Sequence, residues 1–146
     1  MWLNSFVTYL HFISVFGLFA VLCLEFFLIK PILRKSEIKF LAKLDLIYGL
    51  LSISVLCTGI LRLLYWGKGS AYYLSNDIFL VKMGLFITVG LLSIYPTVKF
   101  LKLRRTTEST VTVKKFSSIK ILIGMELIIL LLIPFAAVLM ANGIDI

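Results

Sequence analysis

Four long apolar runs separated by short polar segments set the pattern of this chain. The first extends from Trp2 to Ile29 and is closed by Lys30 and Pro31; the others are Leu44 to Trp66, Ile78 to Leu101 and Ile119 to Met140. Each is long enough for a helix to cross a hydrocarbon core of roughly 30 Å with some tilt. The first run lacks a basic leading segment and a small-residue cleavage site, and it is too long for a signal-peptide core, so it predicts a retained helix. Pro134, in the outer half of the fourth run, marks a candidate kink. No internal repeat is evident. The expected fold is all-α, a single transmembrane domain over residues 1–146 built as an integral membrane four-helix bundle.

Composition agrees. With 61% hydrophobic and 15% charged residues, and a mean hydropathy of +1.09, the chain carries more apolar surface than a soluble core of 146 residues could hide. The formal charge of +8 would raise the question of nucleic acid, but the basic residues sit in short segments between apolar runs, where anionic lipid headgroups are the nearer partner. No nucleic-acid partner is expected. Cys23 and Cys57 each stand alone in an apolar run at different expected depths, which offers neither a metal spacing nor a disulfide and predicts packing roles.

Charge also sets the orientation. Lys30, Arg34, Lys35, Lys39 and Lys43 follow the first run; Lys99, Lys102, Arg104, Arg105, Lys114, Lys115 and Lys120 flank the connection after the third. Short loops rich in Lys and Arg stay cytoplasmic, so both termini and the Trp66 to Asp77 loop are expected on the non-cytoplasmic side of a bacterial inner membrane. Trp2, Tyr9, Tyr65, Trp66, Tyr72 and Tyr73 then gather at the outer interface, where amphipathic rings settle. The stretch from Pro31 to Lys43 reads either as a short amphipathic helix on the cytoplasmic surface or as a capped linker, with the linker preferred. Thr106 to Val113 reads as a polar turn. In the outer loop, Gly67 and Gly69 permit a tight turn, and Asn76 or Asp77 is placed to cap the third span.

Six ionisable side chains fall within or at the edges of these spans, where an uncompensated charge costs several kcal/mol. At 1.5 Å per residue, His11, Arg62 and Lys82 all lie roughly 5 to 14 Å below the outer surface. Glu25 and Asp45 lie near the cytoplasmic boundary, and Glu126 lies roughly 10 Å in. Helical phase puts His11 and Glu25 on one stripe with Asn4, Thr8, Leu18 and Leu22. It groups Asp45, Gly49, Ser52, Leu56 and Gly59 on the second span, where small residues allow close helix approach. Lys82, Val89, Ser93 and Pro96 align on the third, and Glu126, Leu130, Ile133, Ala137 and Met140 on the fourth. Four faces, each bearing ionisable groups, are expected to converge on one interior. The plainer account is that Arg62 and Lys82 snorkel to headgroups and Asp45 meets Lys43 or another loop cation.

If the faces converge, His11 is an imidazole suited to haem iron, and Arg62 and Lys82 are cations suited to two propionates at the same depth. There is no second His, so Met83, Met140, Lys82 or an open position would complete the iron. On this reading His11 is the metal ligand and haem b the cofactor.

The segments TYLHF in the first span, DLIYG and TGILR in the second, KGSAYYLSND before the third, and FLVKMG with SIYPT inside it resemble a bacterial four-helix membrane family classed as a domain of unknown function. The resemblance covers nearly the whole chain. That family is distantly similar to HemJ-type protoporphyrinogen oxidases, which bind haem b, and to CopD-like membrane proteins. The HemJ-type pattern of an early His in the first helix and an early Lys in the third maps to His11 and Lys82. The chain lacks any other His and the Trp-rich flanks of the HemJ-type first helix, and its outer half has no Met cluster suited to copper.

Three functions stay open. One is a haem b-binding or redox-associated membrane protein. The second is a structural or assembly subunit of a larger membrane complex, or a homo-oligomer. The third is a proton or small-ion pathway in which Glu25, Asp45 and Glu126 line an inner vestibule. No catalytic residue is assigned, since the chain has no glycine-rich phosphate loop, no usable Ser, His and Asp set and no HExxH helix.

Overall fold

The computed structural model describes residues 2–66 and 70–142. The expected turn at Gly67 and Gly69 lies outside the described residues. Four long helices dominate: α1 (Trp2–Leu28), α2 (Lys35–Leu61), α4 (Asp77–Arg104) and α5 (Phe116–Ala141). A π-helical turn, Arg62–Trp66, prolongs α2, and a short α3 (Ser70–Leu74) precedes α4. All four are long and apolar enough to cross a membrane. Pro96 and Pro134 are carried within α4 and α5 without ending either helix, as in membrane spans where neighbouring groups re-satisfy the freed backbone. Asn76 caps α4, its side-chain oxygen accepting the Phe79 amide at 3.0 Å.

The helices close a ring. α1 packs along α2 and α4 along α5, while α2 with α4 and α1 with α5 form the two looser seams. Leu18, Leu22, Val55, Val89 and Leu130 fill the middle of the interior, and aliphatic and aromatic side chains such as Phe16, Ile53 and Leu91 cover the outside. An apolar exterior around an apolar interior suits lipid as the surrounding solvent.

Two loop expectations are corrected. The segment before Lys43 is neither a separate surface helix nor a linker: its residues from Lys35 onward are the first turns of α2. Ile38, Leu41 and Ala42 point inward there while Lys39 and Lys43 point out, a helical rather than linker periodicity. Glu37 fixes the start by accepting the Arg34 amide at 2.9 Å and pairing with Lys30 at 3.2 Å. The Thr106 to Val113 segment is not merely a turn. Thr110–Thr112 forms β2, which pairs antiparallel with β1 (Ile32–Arg34) in the register Leu33 to Val111, a small departure from an all-helical chain. Alternating Thr and Val favour a pleated strand, and the pairing turns Leu33 fully inward, at 0% exposure, beside Val113. This ribbon ties the connection after α1 to the connection after α4 and so holds the two helix pairs together at the basic end.

Three facing expectations also change. Gly49 does not join Asp45 in the interior, since open space surrounds it, while Leu56, though 41% exposed, also lines a cavity among the helices. The inward face of α2 is instead Asp45, Tyr48, Val55 and Thr58. Trp2, Tyr9, Tyr65 and Tyr72 are exposed as interfacial rings should be, whereas Trp66 and Tyr73 are half-buried and line a partly open cavity. Cys57 is exposed rather than packed, Cys23 is half-buried, and both are free thiols.

Leu33→Ala should destabilise the protein by about 2 to 4 kcal/mol because its site at the ribbon is fully enclosed. Ile32→Ala, at the neighbouring outward position, should cost under about 0.5 kcal/mol. Reversible unfolding in mixed detergent micelles measures both.

Candidate functional site

The interior polar groups lie in two layers separated by an apolar one. The outer layer surrounds a cavity of about 230 Å³ lined by residues of the four long helices, the π-helical turn and α3. His11, Arg62 and Lys82 all reach it, so the expectation that they share one depth and one space agrees with the geometry. Met83 and Met140 line it too. Arg62 opens the π-helical turn, a widened backbone often found where a helix serves a site. Its guanidinium lies over the Phe12 ring at 5.9 Å, and the Lys82 ammonium lies over Phe79 at the same distance, so aromatic faces shield both cations.

The hydrogen bonds of His11 fix which ring nitrogen is available. Thr58 Oγ1 donates its single proton to the Ser54 carbonyl at 2.6 Å. It therefore accepts at 2.9 Å from His11 Nδ1–H. In the neutral ring this leaves Nε2 with a bare lone pair. A histidine held through one nitrogen with the other free is the arrangement found at ligating histidines. Ser14 and Ser54 meet at 2.8 Å just below. Thr58, Ser54 and Ser14 were missed by reading charges alone, although Ser14 follows His11 by three residues and Ser54 precedes Thr58 by four, the spacings of a shared helix face.

Below Leu18, Leu22, Val55, Val89 and Leu130 lies the inner layer. Glu25 of α1, Asp45 of α2 and Glu126 of α5 are buried there, at 1%, 7% and 1% exposure. Glu25 is within electrostatic reach of the other two. Tyr48 donates to Glu126 Oε2 at 3.2 Å, and Thr97 of α4 donates to Asp45 Oδ1 at 2.8 Å. The hydrogen-bond donor to Asp45 among the described residues is thus a hydroxyl, in place of the loop cation of the plainer account. Tyr48 and Thr97 were also missed; Tyr48 sits three residues after Asp45, but the reach from α2 to Thr97 on α4 leaves no trace in sequence spacing. Among the described residues no group of three or more His, Cys, Asp or Glu side chains is arranged to hold a metal ion, these carboxyl groups included.

Residues 3–145 match the family described as predicted membrane protein DUF2214. The chain belongs to the DUF2214 family. No curated protein and no solved structure matches it. The expected kinship of this DUF2214 member with HemJ-type and CopD-like proteins therefore finds no support in these comparisons, and the site is interpreted from its own geometry.

Thr58→Val keeps the side-chain shape but removes the hydroxyl oxygen bonded to His11 Nδ1. The expected cost is about 1 to 2 kcal/mol in the same unfolding assay. Thr88→Val, which removes an exposed hydroxyl bonded to the Gly84 carbonyl, should change stability by under about 0.5 kcal/mol.

Proposed function

We propose that this membrane protein binds haem b in the outer cavity, with His11 as an axial ligand and Arg62 and Lys82 as partners of the propionates. The observation that carries the reading is the His11 ring, bonded through Nδ1 to Thr58, at the lining of a cavity that two cations also reach. The donor set suits the group: a neutral imidazole nitrogen, two cations for two carboxylates, and an otherwise largely apolar lining that receives a porphyrin face. Met83 and Met140 line the same cavity and are the thioether candidates for a second ligand. When bound, haem would supply one-electron redox chemistry; the chain's own contribution would be to orient the imidazole and pair the propionates. With the basic end cytoplasmic, as the positive-inside rule directs, the cavity sits in the outer leaflet of a bacterial inner membrane.

A second reading, a subunit that assembles with other membrane helices, draws on Gly84 and Gly90 of α4 and Gly49 of α2. All three face outward with nothing within 4 Å of an added Cβ, which leaves room for close backbone approach.

Purified protein supplemented with haem should show a Soret band that His11→Ala abolishes. Arg62→Ala and Lys82→Ala should each weaken haem affinity by roughly tenfold or more, the loss expected for one charge-assisted contact. Absence of any Soret band in the supplemented wild-type protein would overturn the haem reading. Native purification giving only a free monomer would overturn the subunit reading.

A further inference from the structure

The inner carboxyl layer is separate from the haem reading. Three carboxyl side chains from three helices share a buried region, and their protein donors are one phenol and one hydroxyl. Glu25 Oε1 and Glu126 Oε1 are fully buried and have no hydrogen-bond partner among the described residues. A carboxylate oxygen left this way inside a bundle costs several kcal/mol, so something not written in the protein's own hydrogen bonds must satisfy it. Among the described residues no cation does. Lys30 is committed to Glu37 outside the layer, Lys120 of α5 lies over the rings of Phe26 and Phe116 at 5.0 and 5.7 Å, and Lys99 of α4 lies over Tyr95 at 5.5 Å. The titratable groups facing the layer are Glu25 from α1, Asp45 and Tyr48 from α2, and Glu126 from α5; α4 adds only the Thr97 hydroxyl. A metal ion is a poor occupant, because these groups do not form a ligand cage.

The remaining small cation is the proton. We propose that Glu25, Asp45 and Glu126 form an occluded site for exchangeable protons, filled from the basic end of the bundle through Asp45. A proton taken from hydronium onto a carboxylate oxygen removes one buried charge and converts an acceptor into the donor the layer lacks, with water as the other product. Asp45 is the entry point because it is the most exposed of the three, while Ile29, Leu41, Phe100 and Ile119 close the rest of that end. Toward the outer cavity, Leu18, Leu22 and Leu130 interrupt the polar groups between Tyr48 and Ser14, so exchange is one-sided.

The test is infrared spectroscopy of the full chain in lipid nanodiscs, without haem. At neutral pH carboxyl groups in water are ionised, so a C=O stretch of protonated carboxylic acid reports buried ones. The expected result is such a band in the wild-type protein, shifting on transfer to heavy water and losing intensity with alkalinisation. Glu25→Gln and Glu126→Gln should each reduce it, and Asp45→Asn should slow its exchange without removing it. No protonated band, a band unchanged in all three variants, or one that never exchanges into heavy water would each overturn the proposal. Loss of the band on adding sodium or calcium at constant pH would also overturn it, by making a metal ion the occupant. Circular dichroism of each variant, matching wild type, establishes that the comparison is between folded proteins, and the wild-type spectrum alone decides the first outcome.

Discussion

Inside a bilayer there is no water to absorb an unpaired hydrogen-bonding group, and each one left unsatisfied costs several kcal/mol. That constraint selects which side of each helix of this protein faces inward. Hydrophobicity cannot do so, because the side chains facing lipid are as apolar as those in the core: Phe16 and Leu91 outside, Leu18 and Val89 inside. The stripe of α1 from His11 through Ser14 to Glu25, and the stripe of α2 from Asp45 and Tyr48 to Thr58, are the polar registers of their helices. Matching them fixes helix rotation, and the bonds His11 to Thr58, Ser14 to Ser54, Tyr48 to Glu126 and Thr97 to Asp45 are the result.

The same constraint explains the layering. Polar groups at two depths with an aliphatic belt between them give a bundle whose outer half encloses a space and whose inner half encloses carboxyl groups. The helix pairs α1 with α2 and α4 with α5 are each well packed, and both polar layers draw on residues from both pairs. The β ribbon closes the basic end across those pairs. A cavity at the opposite end then costs less structural integrity than it would in a bundle without such a tie.

Much of this was legible in the residues. Four predominantly apolar runs of more than twenty residues leave little alternative to four spans, and Asn76 before a helical run is a capping residue by its chemistry. The depths of His11, Arg62 and Lys82 followed from counting 1.5 Å per residue, because a straight helix converts sequence number into height. Rotation was harder to infer. Gly49 and Leu56 share a helical face with Asp45 only to within the width of a stripe, and the choice between that stripe and the one through Tyr48 depends on Glu126, which lies 78 residues away. Short side-chain hydroxyls were undervalued for the same reason: the partners that Ser54, Thr58 and Thr97 bond across the bundle lie on other helices. The ribbon was missed because three-residue strands lie below the length at which alternation outweighs loop composition, although Thr110 to Val113 carries the β-branched signature.

The outer site depends on where the imidazole points and which of its nitrogens is bare. His11 is the only histidine in the chain, so nitrogen-15 NMR of histidine-labelled protein in lipid reads it without assignment. The geometry predicts a neutral ring protonated at Nδ1 and bare at Nε2, with Thr58→Val perturbing the Nδ1 signal. A ring protonated at Nε2 or at both nitrogens, and indifferent to Thr58→Val, would contradict it.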